Sequence, residues 1–281
     1  MNKTVTAALA VASMLALAAC KQTAAPGNEG ANAAGSATAA GAPINGTWKT
    51  DISTFKTDRK PDQLMLQGGQ FSCTTCIPPL TVAADGKLHP VTGRPYADHI
   101  SLTVNDDRTV TRVGQKGGHT TSTVKYSVSP DGKTLTISFT DSSTPNTKPV
   151  TGSYTETRVA PGPAGAHAIS GSWKPAAYNS MSDEALTATF REDNGMLHLS
   201  TASGQSYHAK LDGSETPIRG DIGGTTASVR KLGDNVYEET DRRGGKVIDV
   251  MTMTVSADGK MTVKDENKQN GAVSSYVAIK Q

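Results

Sequence analysis

The sequence predicts an all-β protein, two antiparallel barrels in tandem, with a pair of β-sandwiches as the alternative. Three observations carry that prediction. Through most of residues 44–281 the side chains alternate with a period of two in short Thr- and Val-rich runs, the pattern of strands with one buried and one wet face. D-G and G-G pairs separate those runs at hairpin spacing. The pattern also occurs twice: GTWK at 46–49 returns as GSWK at 171–174, and residues 85–133 match 212–260 at 13 of 49 positions without a gap. Asp85-Gly86 answers to Asp212-Gly213, Gly117-Gly118 to Gly244-Gly245, and VSPDGK (128–133) to VSADGK (255–260), all 127 positions apart. Nearly all the identities are turn residues, which a duplicated β-domain keeps because a glycine at positive φ is hard to replace.

Taken in order, the chain opens on Lys3 and the small-residue apolar stretch TVTAALAVASMLALAA (4–19). Residues 1–19 read as a signal peptide, since so few large apolar residues make a poor permanent span. Leu17-Ala18-Ala19-Cys20 resembles the bacterial lipobox. That resemblance implies a lipoprotein in which Cys20 is acylated on sulfur and becomes the mature N-terminus. The partner is then the membrane, reached through an N-terminal lipid anchor whose methylenes contribute ~0.8 kcal/mol each when buried. Lys21 stands where an Asp would hold such a protein at the inner membrane, so the same resemblance implies an outer-membrane lipoprotein facing the periplasm. The rest of segment 20–43, rich in Ala, Gly, Ser and Pro, cannot bury enough surface to offset its ordering entropy and is expected to be a flexible linker.

The first β-domain is expected over 44–160, a Pro/Gly linker over 161–168 and the second β-domain over 169–281. Strands are expected at 98–104, 108–113, 120–128, 133–139 and 150–158 in the first copy. Those of the second copy are expected at 225–231, 235–240, 246–255, 260–264 and 273–280. NSMSDEALTA (179–188) carries a helix-like start at Ser182, although most of it reads as strand. Eight or so short strands in each copy suit a meandering barrel or sandwich.

The G-x-W at each domain start resembles the opening motif of lipocalins and of the shorter fatty-acid-binding-like barrels. There the tryptophan plugs one barrel end and a basic residue of the last strand stacks on its indole. The resemblance implies a lipocalin-like barrel with Arg158 as the cation for Trp48 and Lys280 as the cation for Trp173, each pair worth ~1 kcal/mol. The duplicated layout is also similar to that of uncharacterised proteobacterial lipoproteins.

Chemistry is sparse. With 28 basic and 26 acidic side chains the net charge is +2, which excludes a nucleic-acid footprint or polybasic membrane patch. The motif FSCTTCIPP (71–79) holds Cys73 and Cys76. Ile77 removes the C-x-x-C-H of a haem tether. No histidine pair has the spacing to complete a zinc site, so no metal is expected. A thioredoxin-like centre needs a helix beginning at the second cysteine, which Pro78-Pro79 opposes. A local disulfide, Cys73–Cys76, in an oxidising compartment is the expected state. The second copy has no cysteine in the equivalent stretch LHLSTASGQ (197–205), so the fold does not require the bridge. GQSYHAK (204–210) lacks the second glycine and the helix of a nucleophile elbow. Asp106-Asp107 and Glu238-Glu239 read as solvated pairs.

The functional expectation is a non-enzymatic lipoprotein of the cell envelope, without cofactor, binding a small apolar or amphipathic ligand. The alternative is an interaction or structural module contacting an envelope protein or the cell wall. An enzyme, thiol-redox or other, ranks below both.

Overall fold

The computed structural model describes residues 41–281; the leader, Cys20 and most of the linker lie outside the described residues. Twenty strands follow one another, joined by two-residue turns and by loops of up to nine residues. The first ten are β1 (Gly46–Thr57), β2 (Asp62–Gln67), β3 (Gln70–Cys73), β4 (Leu80–Ala83), β5 (His89–Pro90), β6 (His99–Asp106), β7 (Thr109–Lys116), β8 (His119–Val128), β9 (Thr134–Asp141) and β10 (Val150–Pro161). After β11 (Gly171–Met181) and the short helix α1 (Asp183–Leu186) come β12 (Thr187–Asp193), β13 (Met196–Thr201), β14 (Ser206–Lys210) and β15 (Asp212–Pro217). The series ends with β16 (Thr225–Gly233), β17 (Val236–Arg243), β18 (Lys246–Val255), β19 (Lys260–Asn267) and β20 (Val273–Lys280). Ser182 stands at the N-cap of α1 in extended conformation, and its side chain makes no capping bond.

The strands form two antiparallel ten-stranded sheets, each curled into a nearly closed barrel. Glycines at the predicted turns have positive φ, among them Gly117 and Gly118 in one copy and Gly244 and Gly245 in the other. Alternation sorts the side chains as read: β17 buries Tyr237, Glu239 and Asp241 on one face and leaves their neighbours partly wet.

The sheets do not follow the division at 160 and 169. Strand β1 pairs with β12 and β20, so Gly46–Thr57 belongs to the barrel of the second copy. Strand β11 pairs with β10 and β2, so Gly171–Met181 closes the barrel of the first copy. The first strands of the two copies are exchanged. Barrel one is therefore continuous in sequence, from β2 to β11, and barrel two consists of β1 together with β12–β20.

The exchange also crosses the indole–cation pairs. Arg158, not Lys280, covers Trp173, with its Cζ 3.9 Å from the ring centroid, and Lys280 Nζ stands 5.5 Å from the ring of Trp48. Each cation faces its tryptophan across adjacent strands, Arg158 opposite Trp173 and Lys280 opposite Trp48. Each indole N–H donates to the carbonyl four residues earlier, Trp48 to Ile44 and Trp173 to Ile169, both at 2.8 Å. Arg158 also donates to the carbonyls of Ser170 and Ala168, both at 2.7 Å. It ties down the segment that leads into β11, which the shorter reach of Lys280 does not match in barrel two.

The glycine of each G-x-W sits at a φ that disfavours a side chain, +136° at Gly46 and +137° at Gly171. A Cβ on Gly171 would lie 2.4 Å from the carbonyl oxygen of Ala160, whereas one on Gly46 would meet the movable Cε of Lys280 at 2.5 Å. Gly171→Ala should therefore lower stability by about 1–3 kcal/mol and Gly46→Ala by less. Urea unfolding of the two variants side by side checks the order; equal effects would show that the neighbouring carbonyl can give way.

Cys73 and Cys76 form a disulfide, with Cα atoms 5.4 Å apart. Both sulfurs belong to the core of barrel one, the residues being 1% and 9% exposed. Closing so short a loop stabilises by about 2 kcal/mol on the chain-entropy account.

Candidate functional site

Side chains fill most of each barrel. Barrel one keeps about 70 Å³ of free space beside Cys73, Cys76 and Tyr126, and barrel two about 50 Å³ beside Glu239 and Met253. Two larger spaces lie elsewhere. One of about 280 Å³ borders the crossing strands at Phe55, Arg59 and Tyr178. The other, about 440 Å³, is a cleft where the mouth of barrel one meets barrel two.

The cleft is built by loops that the turn chemistry places. The segment between β5 and β6 carries Arg94, Tyr96 and Ala97 to the rim. Tyr96 donates its hydroxyl hydrogen to Asp221 of the second copy and accepts from Arg243 Nη2 at 3.0 Å. Its ring leaves room for no side chain at position 223, where a Cβ on the glycine would lie 2.4 Å away. Lys116 Nζ donates to the carbonyl of Ile222 at 2.9 Å. These contacts fix one barrel against the other and so fix the walls of the cleft. From barrel one come Ile77, Pro78, Ile100 and Arg112; from barrel two come Arg243, Lys246, Ile248 and the turn Asn267–Asn270.

Five basic side chains line the cleft, Arg94, Arg112, Arg243, Lys246 and Lys268, against one acid, Asp141. Lys268 is bridged to Glu266 at 2.6 Å, and Arg94 donates to the carbonyl of Pro78. Desolvation, then the charge of Arg112, holds the Arg94 guanidinium below its ordinary value. None of these residues was singled out in the sequence. The signal was present in the repeat register: 127 positions on, Arg94 answers to Asp221 and Arg112 to Glu239. Identities revealed the duplication, and the charge reversals mark where the copies differ.

Of the residues the sequence did single out, Cys73 and Cys76 line the interior of barrel one, and Ile77-Pro78 continue from them into the cleft wall. Trp48 and Trp173 are buried at the opening strands. Cys20 lies outside the described residues. Among the described residues, no group of three His, Cys, Asp or Glu side chains could hold a metal ion. Glu239 departs from its expected place on a solvated face: it is buried and accepts from Tyr207 Oη at 2.7 Å.

Glu239 belongs to a buried acidic group in barrel two with Asp241, Asp249 and Asp265. Burial pushes the carboxyls of Glu239 and Asp241 up, and that of Asp265 up to about 6. A carboxyl raised in the folded state stabilises fully below its unfolded value, and that contribution fades as pH rises through the folded value. For Asp265 the window runs from its ordinary 3.8 to about 6 and corresponds to about 3 kcal/mol. Glu239 and Asp241 add in the same direction. The protein should therefore unfold at a higher temperature at pH 5 than at pH 8 in matched ionic strength. Asp265→Asn should flatten that slope; an unchanged slope would refute the assignment.

Neither protein-family models nor curated proteins give a match to this chain.

Proposed function

We propose that this is a non-enzymatic lipoprotein of the bacterial cell envelope, anchored through Cys20 at the outer membrane, that binds a small amphipathic molecule in the cleft between its barrels. The observation that carries the reading is the cleft itself. Its volume of about 440 Å³ falls in the range of small-molecule sites, while the barrel interiors hold about 70 and 50 Å³. Its walls join apolar surface at Ile77, Ile100 and Ile248 to a cationic rim, which suits a ligand with an apolar body and a polar end. The lipobox-like LAAC and the small-residue linker support a folded body held close to a bilayer, where amphipathic molecules concentrate.

Native mass spectrometry of residues 44–281 after incubation with a bacterial envelope extract tests the ligand. A co-purifying mass lost on substitution of Ile100 and Ile248 by aspartate is the expected result. A protein that stays at its bare mass, and takes up no amphiphile on titration, would sink the proposal. The anchor is tested separately by Cys20→Ser, which should move the protein from the detergent phase to the aqueous phase.

A further inference from the structure

We infer that the cleft holds its ligand by an oxyanion, a phosphate or a carboxylate, gripped by the guanidinium groups of Arg112 and Arg94. This rests on the reading of the cleft as a ligand site and names the chemistry of the ligand's polar end. Arg112 stands on β7 between Val110 and Gly114, on the face turned into the barrel, and is only 3% exposed. Proteins bury guanidinium groups with an acid or a full set of acceptors, because an unpaired buried charge is strongly unfavourable. Arg112 has neither among the described residues; what stands near it is the Tyr126 ring, 6.0 Å from its Cζ. Its side chain faces the cleft.

Three further observations point the same way. Arg94 lines the same cleft, and desolvation first, then the like charge of Arg112, holds its guanidinium below the ordinary value. Arg243, on the opposite wall, donates through Nη2 to Tyr96 and Thr225, yet its buried Nε has no partner among the described residues. The acid of the wall, Asp141, accepts the backbone N–H of Ser143 at 2.8 Å and leaves the cleft net positive.

The second copy shows that the fold does not need these cations. The position equivalent to Arg112 is Glu239, whose acceptor is satisfied by the Tyr207 hydroxyl, and the position equivalent to Arg94 is Asp221. Barrel two thus gives that position an internal hydrogen-bond partner, whereas barrel one leaves a cation there open to the cleft. Planar guanidinium forks match the oxygens of phosphate and carboxylate, and charge-assisted bonds to them are the strong class of hydrogen bond.

The test uses the mature chain carrying Cys20→Ser, so that no detergent competes, with monodecyl phosphate, 1-decanol and inorganic phosphate as probes in isothermal titration at low salt. Monodecyl phosphate should bind at least tenfold more tightly than 1-decanol. Arg112→Met and Arg94→Gln should each weaken monodecyl phosphate about ten- to a hundredfold. Without probe, Arg112→Met should melt no lower than the parent, because it removes an unpaired buried charge. If that variant fails to fold, Arg94→Gln and the 1-decanol comparison decide.

If 1-decanol binds as tightly as monodecyl phosphate and the arginine variants change nothing, the anion is overturned while the cleft remains a ligand site. Binding of inorganic phosphate as tight as that of monodecyl phosphate, lost in Arg112→Met, supports the anion and overturns the amphipathic reading. Uptake of none of the probes overturns both. A lower melting point in Arg112→Met with unchanged affinity makes Arg112 structural and overturns the inference.

Discussion

Residues 58–182 expressed alone should fold to a monomeric barrel, and residues 44–160 should not. The first fragment contains every strand of barrel one, β2 to β11, with Trp173 under Arg158. The second follows the sequence repeat but lacks β11, the strand that pairs with both β10 and β2, and keeps β1, whose partners β12 and β20 are absent. Its own β1 cannot replace β11 within one chain. In the place of Trp173, opposite Asp62, Trp48 would be followed by nine residues of strand to Thr57, about 30 Å. The five steps from Thr57 to Asp62 span at most about 18 Å. A straight β1 therefore runs out of connecting chain before it can return to pair with β2, and the exchange between copies removes that conflict. The 44–160 fragment is expected as an unfolded chain or as a strand-exchanged dimer. Size exclusion with thermal circular dichroism distinguishes these, and a compact, cooperatively melting monomer of 44–160 would defeat the explanation.

The same residues explain how far the fold was legible in the sequence. Turn glycines and the period-two pattern depend on contacts a few residues apart, so Gly117-Gly118 and the strands on either side could be read from local sequence. The choice of barrel for β1 could not. GTWK and GSWK encode the same local contacts, an indole N–H to the carbonyl four residues back and a cation across the neighbouring strand. Each opening strand therefore fits either barrel, and only the length of the connection and the packing around it decide. The cleft was hidden for a related reason. Arg94 looks like a solvated loop charge and Arg112 like a solvated charge in an alternating strand; the cleft that both line has its other wall in the second copy, a property of the assembled pair. Glu239 reads as solvated, yet β17 places it on the inner face with Tyr237 and Asp241, a face that alternation alone does not label as inner or outer when both sides carry polar residues.

Arg59→Ala should destabilise the protein by about 3–5 kcal/mol. Arg59 occupies the short connection where the chain leaves β1 in barrel two and enters β2 in barrel one. Its guanidinium reaches Asp62 Oδ2 at 2.8 Å and Glu156 Oε1 at 2.5 Å, and the Glu156 residue is 0% exposed. One cation thus serves two acids. Burial first, then the charge of Asp62, pushes the Glu156 carboxyl up, while Arg59 pulls it down. Removing Arg59 takes the compensating cation from the fully buried Glu156 and the half-buried Asp62, the loss that distinguishes breaking a buried ion pair from replacing it. Replacing Arg59, Asp62 and Glu156 together by apolar residues of similar size should recover most of the deficit, since no charge is then stranded. The deficit should also depend on pH. A carboxyl whose folded value is raised loses its stabilising contribution as pH rises through that value; without Arg59 the value rises further, so Arg59→Ala should lose more relative to the parent at pH 8 than at pH 5. Urea unfolding at both pH values reads all three effects. A loss below about 1 kcal/mol at pH 8 would place Arg59 among the surface ion pairs and remove it as the tie that fixes the crossing point between the barrels.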